Sequence, residues 1–264
     1  MKVAFYQFNV QKDDKESNLL KVRKKLEGTD IELVVLPEYF STGIIKKTRN
    51  AVLNQAEKVP DGYTCSRLQE IAKENNCFLI GSLIEREGEY LFNTAVVIGP
   101  GGFLGKQRKV HLCDFEQNFL ERGKEFNIFN INNVKMGILI CYDCWFPEIS
   151  RILMFNGVQV ICHPCNFSNS LSFDFAKIRA IESTSYLISC NQAAMTKVKK
   201  DYINYIGGSR IYDYKGGMIS LAGKNEVLQS TVIDPQKSIK KEYEDCQDVL
   251  SQLKIYKNNY NKYF

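Results

Sequence analysis

The stretch VKMGILICYDCWFPEISRILMFNGVQVICHP, residues 134–164, decides the class of fold. It opens with VKMGILIC, an apolar run that suits a buried strand and ends at Cys141. A helix is expected from about Pro147 to Asn156, and VQVICHP then reads as a second strand. Strand, helix and strand in succession is the unit of a layered α/β domain.

The alternation extends outward on both sides. Residues 2–8 suit a buried strand, and ESNLLKVRKKLEG places Leu19, Val22 and Leu26 on one helical face. The run IELVVLP ends at Pro37, with Glu38 directly after it. A helix over roughly Thr64 to Glu74, carried by Leu68, Ile71 and Ala72, leads into CFLIGSLI. LFNTAVVIG, the turn at Pro100-Gly101-Gly102 and FLGKQRKVHL read as a β-hairpin. Beyond the opening stretch, an amphipathic helix from about Phe173 to Thr184 precedes YLISCN. Three β-runs follow, GGSRIYD, GGMISLAG and VLQSTVID. A tail from Lys237 to Phe264 is mixed in charge and rich in tyrosine. With no Gly/Ser/Pro linker and no internal repeat, one domain over residues 1–264 is expected.

Composition excludes several classes. A chain of 264 residues with 44% hydrophobic and 25% charged residues can bury a substantial core and is not disordered. The net charge of +5 is mild, and the basic runs Lys21 to Lys25 and Lys197 to Lys200 lie beside polar or acidic stretches. Such runs read as solvated faces rather than nucleic-acid sites. MKVAFYQF lacks the long apolar core of a signal peptide, and no apolar stretch approaches bilayer-spanning length. The expectation is a soluble, cytoplasmic protein with no nucleic-acid or membrane partner. The nine cysteines form no disulfide framework and read as reduced thiols.

Three stretches, VVLPEYF, GKQRKVHL and GILICYDCWFPE, each put a reactive residue at the end of an apolar run. Strand ends and the loops after them are where sites assemble. Cys141 stands at a strand–turn–helix junction, which presents a side chain outward and aims backbone N–H groups at it. A thiol needs a base to become the reactive thiolate. The histidines are His111 and His163, and His111 would share a side with Lys109 if that strand is regular. A carboxylate in a low-dielectric pocket can also serve, and Glu38 is placed for that. Lys109 would lower the thiol pKa and steady an oxyanion. Taken singly, each has a plain reading as an inert buried thiol, a solvated loop glutamate or a surface lysine.

Together, and in this order, the three stretches resemble the signatures of the nitrilase superfamily, also called carbon–nitrogen hydrolases. The likeness continues through NTAVVIGPGG, HPCN, AKIRAIES and GGSRIYD, covering essentially the whole chain. It implies a four-layer αββα sandwich and a cysteine hydrolase acting on a non-peptide C–N bond. It makes Cys141 the nucleophile, Glu38 the general base and Lys109 the oxyanion partner, with the Tyr142 backbone N–H as second donor. It implies Glu116 as a supporting carboxylate, with Glu121 as the alternative, because Arg122 stands where a proline is usual. It places Trp145, His163 and Asn166 near the substrate. Trp145 occupies a position where ω-amidase-like members carry arginine, which points toward small linear amides or carbamoyl amines. Cys165 replaces a small residue, putting a second thiol near the site. No metal or organic cofactor is required, and a homodimer is expected, the C-terminal tail contributing to its interface.

Other readings compete. Cys141-x-x-Cys144 and Cys162-x-x-Cys165, separated by 17 residues, satisfy a four-thiolate zinc spacing. The helix and strand between them do not suit a compact zinc ribbon, and zinc would leave Glu38 and Lys109 unexplained. CHPC also matches a redox pair, without the fold that goes with one. A silent scaffold would have no reason to keep all three reactive residues. A metal-dependent nuclease needs more histidine than two residues supply.

Overall fold

The computed structural model describes residues 1–43, 48–194 and 204–240, together with Val249. Two six-stranded mixed sheets carry the fold. The first has the order β12 (Val227–Val232), β1 (Lys2–Gln7), β2 (Leu33–Val35), β3 (Phe78–Glu87), β4 (Tyr90–Gly99), β5 (Gly102–Arg108). The second has the order β11 (Met218–Leu221), β10 (Arg210–Tyr212), β9 (Tyr186–Cys190), β8 (Val160–Pro164), β7 (Val134–Ile138), β6 (Phe129–Ile131). Within each sheet the three strands that alternate with helices run parallel, β1–β2–β3 and β7–β8–β9. The outer strands are antiparallel.

Period-2 alternation sorts the layers. Along β1, Val3 and Phe5 face an apolar layer shared with Met136, Ile138, Val160 and Ile188 of the other sheet. Their neighbours Ala4 and Tyr6 turn the opposite way, onto α1 (Lys15–Leu26) and α3 (Tyr63–Asn75), where they meet Leu19, Val22, Leu26, Leu68 and Ile71. On the outside of the second sheet lie α4 (Pro147–Phe155) and α5 (Leu171–Ser183), which bury Ile149, Leu153, Phe173, Ala176 and Ala180. The order is helices, sheet, sheet, helices: an α/β sandwich of four layers. Gly137 sits where α4 crosses β7 most closely, since a Cβ there would meet Leu153 Cδ2 at 2.7 Å.

Helix ends follow local chemistry. The Asp14 carboxylate accepts the Ser17 N–H at 3.0 Å at the start of α1. Pro147 opens α4, and Asn76 closes α3 in the left-handed conformation.

Three points depart from the sequence reading. β5 stops at Arg108, so FLGKQRKVHL is not strand to its end. A helix at Arg49–Gln55, α2, and the three-residue β6 were not foreseen. Lys197 to Lys200 and nearly all of the tyrosine-rich tail lie outside the described residues. Among the described residues, no helix is long and apolar enough to cross a membrane.

Candidate active site

Glu38 follows β2 in the first sheet, while Cys141 follows β7 in the second. The two sheets are joined between these points. The Glu38 N–H reaches the Cys165 carbonyl at 3.5 Å, and Asn166 Nδ2 donates to the Glu38 carbonyl at 2.8 Å. Lys109, just past β5, is held by its N–H on the Asn93 carbonyl at 2.8 Å and by its own carbonyl accepting from Gly123 N–H at 2.8 Å. Gly123 has to be glycine here, because a Cβ would lie 2.4 Å from the Arg108 carbonyl oxygen.

The side chains meet in a buried ion cluster. Lys109 Nζ lies 2.8 Å from Glu38 Oε1 and 2.7 Å from Glu116 Oε2. All three side chains are no more than 2% exposed. Glu116 Oε2 also accepts the Cys113 N–H at 2.9 Å, and its Oε1 accepts from Tyr39 Oη and, at 3.0 Å, from Asn93 Nδ2. Asn93 Nδ2 donates to Glu38 Oε1 as well, at 2.8 Å. Two carboxylates against one ammonium leave a net negative charge in a dry site, where charge is costly unless paired and hydrogen-bonded.

The titration of the cluster follows. Burial raises the Glu38 carboxyl above the ordinary glutamate value; Lys109 opposes this and the like charge of Glu116 adds to it. Burial pulls the Lys109 ammonium down, but Glu116 and Glu38 outweigh it and hold Lys109 well above an ordinary lysine. Burial pushes Glu116 up, and it is Lys109, by charge and hydrogen bond, that brings it below its usual range. The Cys141 thiol is driven well up, first by burial and then by Glu38, with Lys109 pulling the other way. At neutral pH the resting thiol is protonated, and it lies close enough to the Glu38 carboxyl for each to shift the other.

Cys141 itself has φ +48°, a left-handed conformation that a non-glycine residue adopts only when its surroundings enforce it. Three contacts enforce it. Asp143 Oδ2 accepts the Ile140 N–H at 3.1 Å on one side. Its Oδ1 accepts the His111 N–H at 2.8 Å, tying the turn to the loop that follows Lys109. On the other side His163 Nε2 donates to the Cys141 carbonyl at 3.2 Å, while His163 Nδ1 meets Ser189 Oγ at 2.9 Å. Burial depresses His163 from 6.5 to about 4, so it is neutral here.

These positions sort the expected site residues. Glu38, Lys109, Glu116 and Cys141 are brought together. Glu121 is exposed, on a charged surface cavity with Arg122, so Glu116 is the carboxylate on Lys109 despite the irregular Arg122. His163, expected near the substrate, is placed behind the Cys141 peptide with both ring nitrogens on protein atoms. His111 does not project beside Lys109, because the strand has ended; it turns to Asp143 and stacks on Phe146 at 3.6 Å. Trp145 stacks on Phe175 at 4.3 Å and leans on Tyr142. Asn166 keeps Oδ1 buried and without a partner. No group of three or more His, Cys, Asp or Glu among the described residues is arranged to hold a metal, so the two CxxC pairs do not close on one another.

Asn93, Tyr39, Asp143 and Tyr205 were not foreseen. Tyr205 lies close enough to Glu38 and Cys141 that, after burial, their charges raise its hydroxyl. The adjoining Ile206 N–H bonds the Phe167 carbonyl at 3.2 Å, which brings this segment beside Asn166. Asn93 follows the apolar LF of its strand, and a buried amide interrupting an apolar strand was a readable signal; Tyr205 carried none.

Known proteins resemble this chain along most of its length. The family model for carbon–nitrogen hydrolases matches residues 2–241. A nitrilase of Pyrococcus abyssi is 35% identical over 230 residues, 86% of each chain. The omega-amidase NIT2 of Xenopus tropicalis is 30% identical over 250 residues, 88% of each. The crystal structure of Saccharomyces cerevisiae Nit3, a nitrilase-superfamily member, superposes with a TM-score of 0.80 at 25% identity, covering 90% of this chain and 91% of that one. The chain is thus matched along nearly its full length and belongs to the carbon–nitrogen hydrolase family.

Proposed function

We propose that the chain hydrolyses a small linear amide or carbamoyl amine through a thioester on Cys141. The observation that carries this reading is the neutral, buried thiol beside a carboxylate whose proton affinity burial has raised. Such a carboxylate is matched to taking a thiol proton near neutrality. Glu38 takes that proton as Cys141 attacks the carbonyl carbon. The oxyanion rests between the Lys109 ammonium and the Tyr142 N–H, both fixed before reaction begins. Glu38 then protonates the departing nitrogen, ammonia or amine leaves, and the acyl group remains on sulfur. Water gives its proton to Glu38, attacks the thioester and releases the acid. Glu116 keeps Lys109 charged and in place.

Trp145, stacked on Phe175, offers no cation for a second carboxylate, which favours uncharged linear substrates over ω-amides of dicarboxylates. A nitrile is the second reading, favoured by the similarity to the Pyrococcus abyssi nitrilase. Ammonia release across aliphatic amides, carbamoyl amines, ω-amides and nitriles, beside Cys141→Ala, tests both. Ammonia from amides with the native protein alone supports the proposal. Turnover confined to nitriles replaces it with the second reading, and no turnover under reducing conditions refutes both. We also propose a homodimer; sedimentation of the full chain as a monomer at micromolar concentration would remove that part.

A further inference from the structure

We infer that Asn93 is a positioning residue that anchors one oxygen of Glu38 so that the other faces Cys141. The inference rests on the reading of Glu38 as the base. Asn93 lies in β4, and its side chain is fully buried. Its Nδ2 carries two hydrogens, and the amide directs one to Glu38 Oε1 and one to Glu116 Oε1, at 2.8 and 3.0 Å. Lys109 Nζ bonds the same Glu38 Oε1 and the far oxygen of Glu116. The four side chains therefore close a ring, with two donors and two carboxylates alternating. Glu38 Oε1 is occupied twice, and Oε2 is the oxygen left for the thiol.

The orientation of the amide is settled by chemistry. Turning it over would set a carbonyl oxygen against two carboxylates. In the orientation present, Oδ1 is buried with no partner, a cost that an apolar side chain of similar size would avoid. The same residue's backbone carbonyl receives the Lys109 N–H, so it registers the ammonium and the base together. A hydrogen bond to a carboxylate favours the ionised form, by about one pH unit for each good donor. Losing Asn93 therefore makes Glu38 hold its proton to higher pH. The other groups around Glu38 are Lys109, Glu116, the Cys141 thiol, Tyr39, Cys113, Cys165 and Tyr205, and none changes in the variants below.

The test uses a readout that needs no knowledge of the natural substrate. Iodoacetamide alkylation of Cys141 is followed by peptide mass spectrometry from pH 4 to 9 in the wild type, Asn93→Ala, Asn93→Asp and Glu38→Gln. Turnover of whichever amide the wild type accepts is measured in parallel. The wild type shows an acid limb that Glu38→Gln abolishes. In Asn93→Ala the limb moves up by about one pH unit, kcat falls roughly tenfold, and KM stays within about twofold of the wild type. Asn93→Asp keeps the volume but replaces the donor with a third carboxylate, and its limb moves further up. If neither variant moves the limb while the wild-type limb is present, Asn93 is structural only and the inference fails alone. A wild type with no acid limb sinks the assignment of Glu38, and this inference with it.

Discussion

Replacing Glu116 by Gln keeps one acceptor oxygen and the shape of the side chain while removing one of the two negative charges on Lys109. The Glu38 and Glu116 oxygens each lie within 2.8 Å of the same Lys109 nitrogen, so they are at most about 5.5 Å apart. At an effective dielectric constant of about 20, two like charges at that distance repel by about 3 kcal/mol, equivalent to about two pH units on Glu38. Relief of that repulsion stabilises the Glu38 anion, and Lys109, freed of its second partner, reinforces the effect. The acid limb of kcat/KM therefore moves to lower pH by about one to two units in Glu116→Gln, opposite in direction to Asn93→Ala. A less basic Glu38 is also a poorer proton acceptor, so kcat at its plateau falls, by roughly tenfold. Rate profiles between pH 4 and 9, with Cys141 alkylation as the substrate-independent check, measure both quantities. A limb that stays in place or moves up refutes the reasoning, because the like-charge repulsion on which it rests would then be absent.

Three further outcomes are expected. Lys109→Met leaves two buried carboxylates without a counter-charge and lowers stability at neutral pH by about 3–5 kcal/mol, read from urea unfolding; the cost shrinks as the pH falls and the carboxylates protonate. His163 is held neutral in the fold, its value depressed from 6.5 to about 4, so the folded state binds fewer protons than the unfolded chain. Its contribution is complete above about pH 6.5 and is lost as pH falls through 4, about 3 kcal/mol in all. The melting temperature should fall across that window, less steeply in His163→Gln, and equal slopes would count against the assignment. Gly137→Ala drives a methyl to within 2.7 Å of Leu153 and costs about 1–3 kcal/mol; Leu153→Ala in the same chain should cost less than the sum of the two single changes if the clash is the cause.

The layering could be read from residues such as Val3, Phe5, Ala4 and Tyr6, because burial on both faces writes a continuous apolar run and helices write a 3.6-residue stripe. Glu38, Lys109 and Cys141 were legible because each ends such a run, where a polar residue breaks a pattern. What the sequence hid has physical reasons. Helix α2 buries only Val52 among its seven residues, so it has no stripe to detect. Strand β6 is three residues long, below the length at which alternation says anything. His111 seemed to share a face with Lys109 because strand periodicity was extended past Arg108, where the ladder stops. The partner of His163 Nδ1, Ser189, lies 26 residues on and leaves no mark in the local sequence. Asn93 and Glu116 meet only through tertiary folding, and a separation of 23 residues carries no periodic trace.

The carboxylates and the lysine hang from one sheet and the cysteine from the other, with an apolar layer between them. That layer acts as a spacer whose thickness sets how far the sulfur stands from the Glu38 carboxylate. Val35, Ile80, Ile138 and Val160 belong to that layer, and a methylene gained or lost among them would shift one half of the site against the other. Directed evolution of such a scaffold has two separable dials: residues that would face a substrate choose the molecule admitted, and residues in the shared interior tune the gap between thiol and carboxylate.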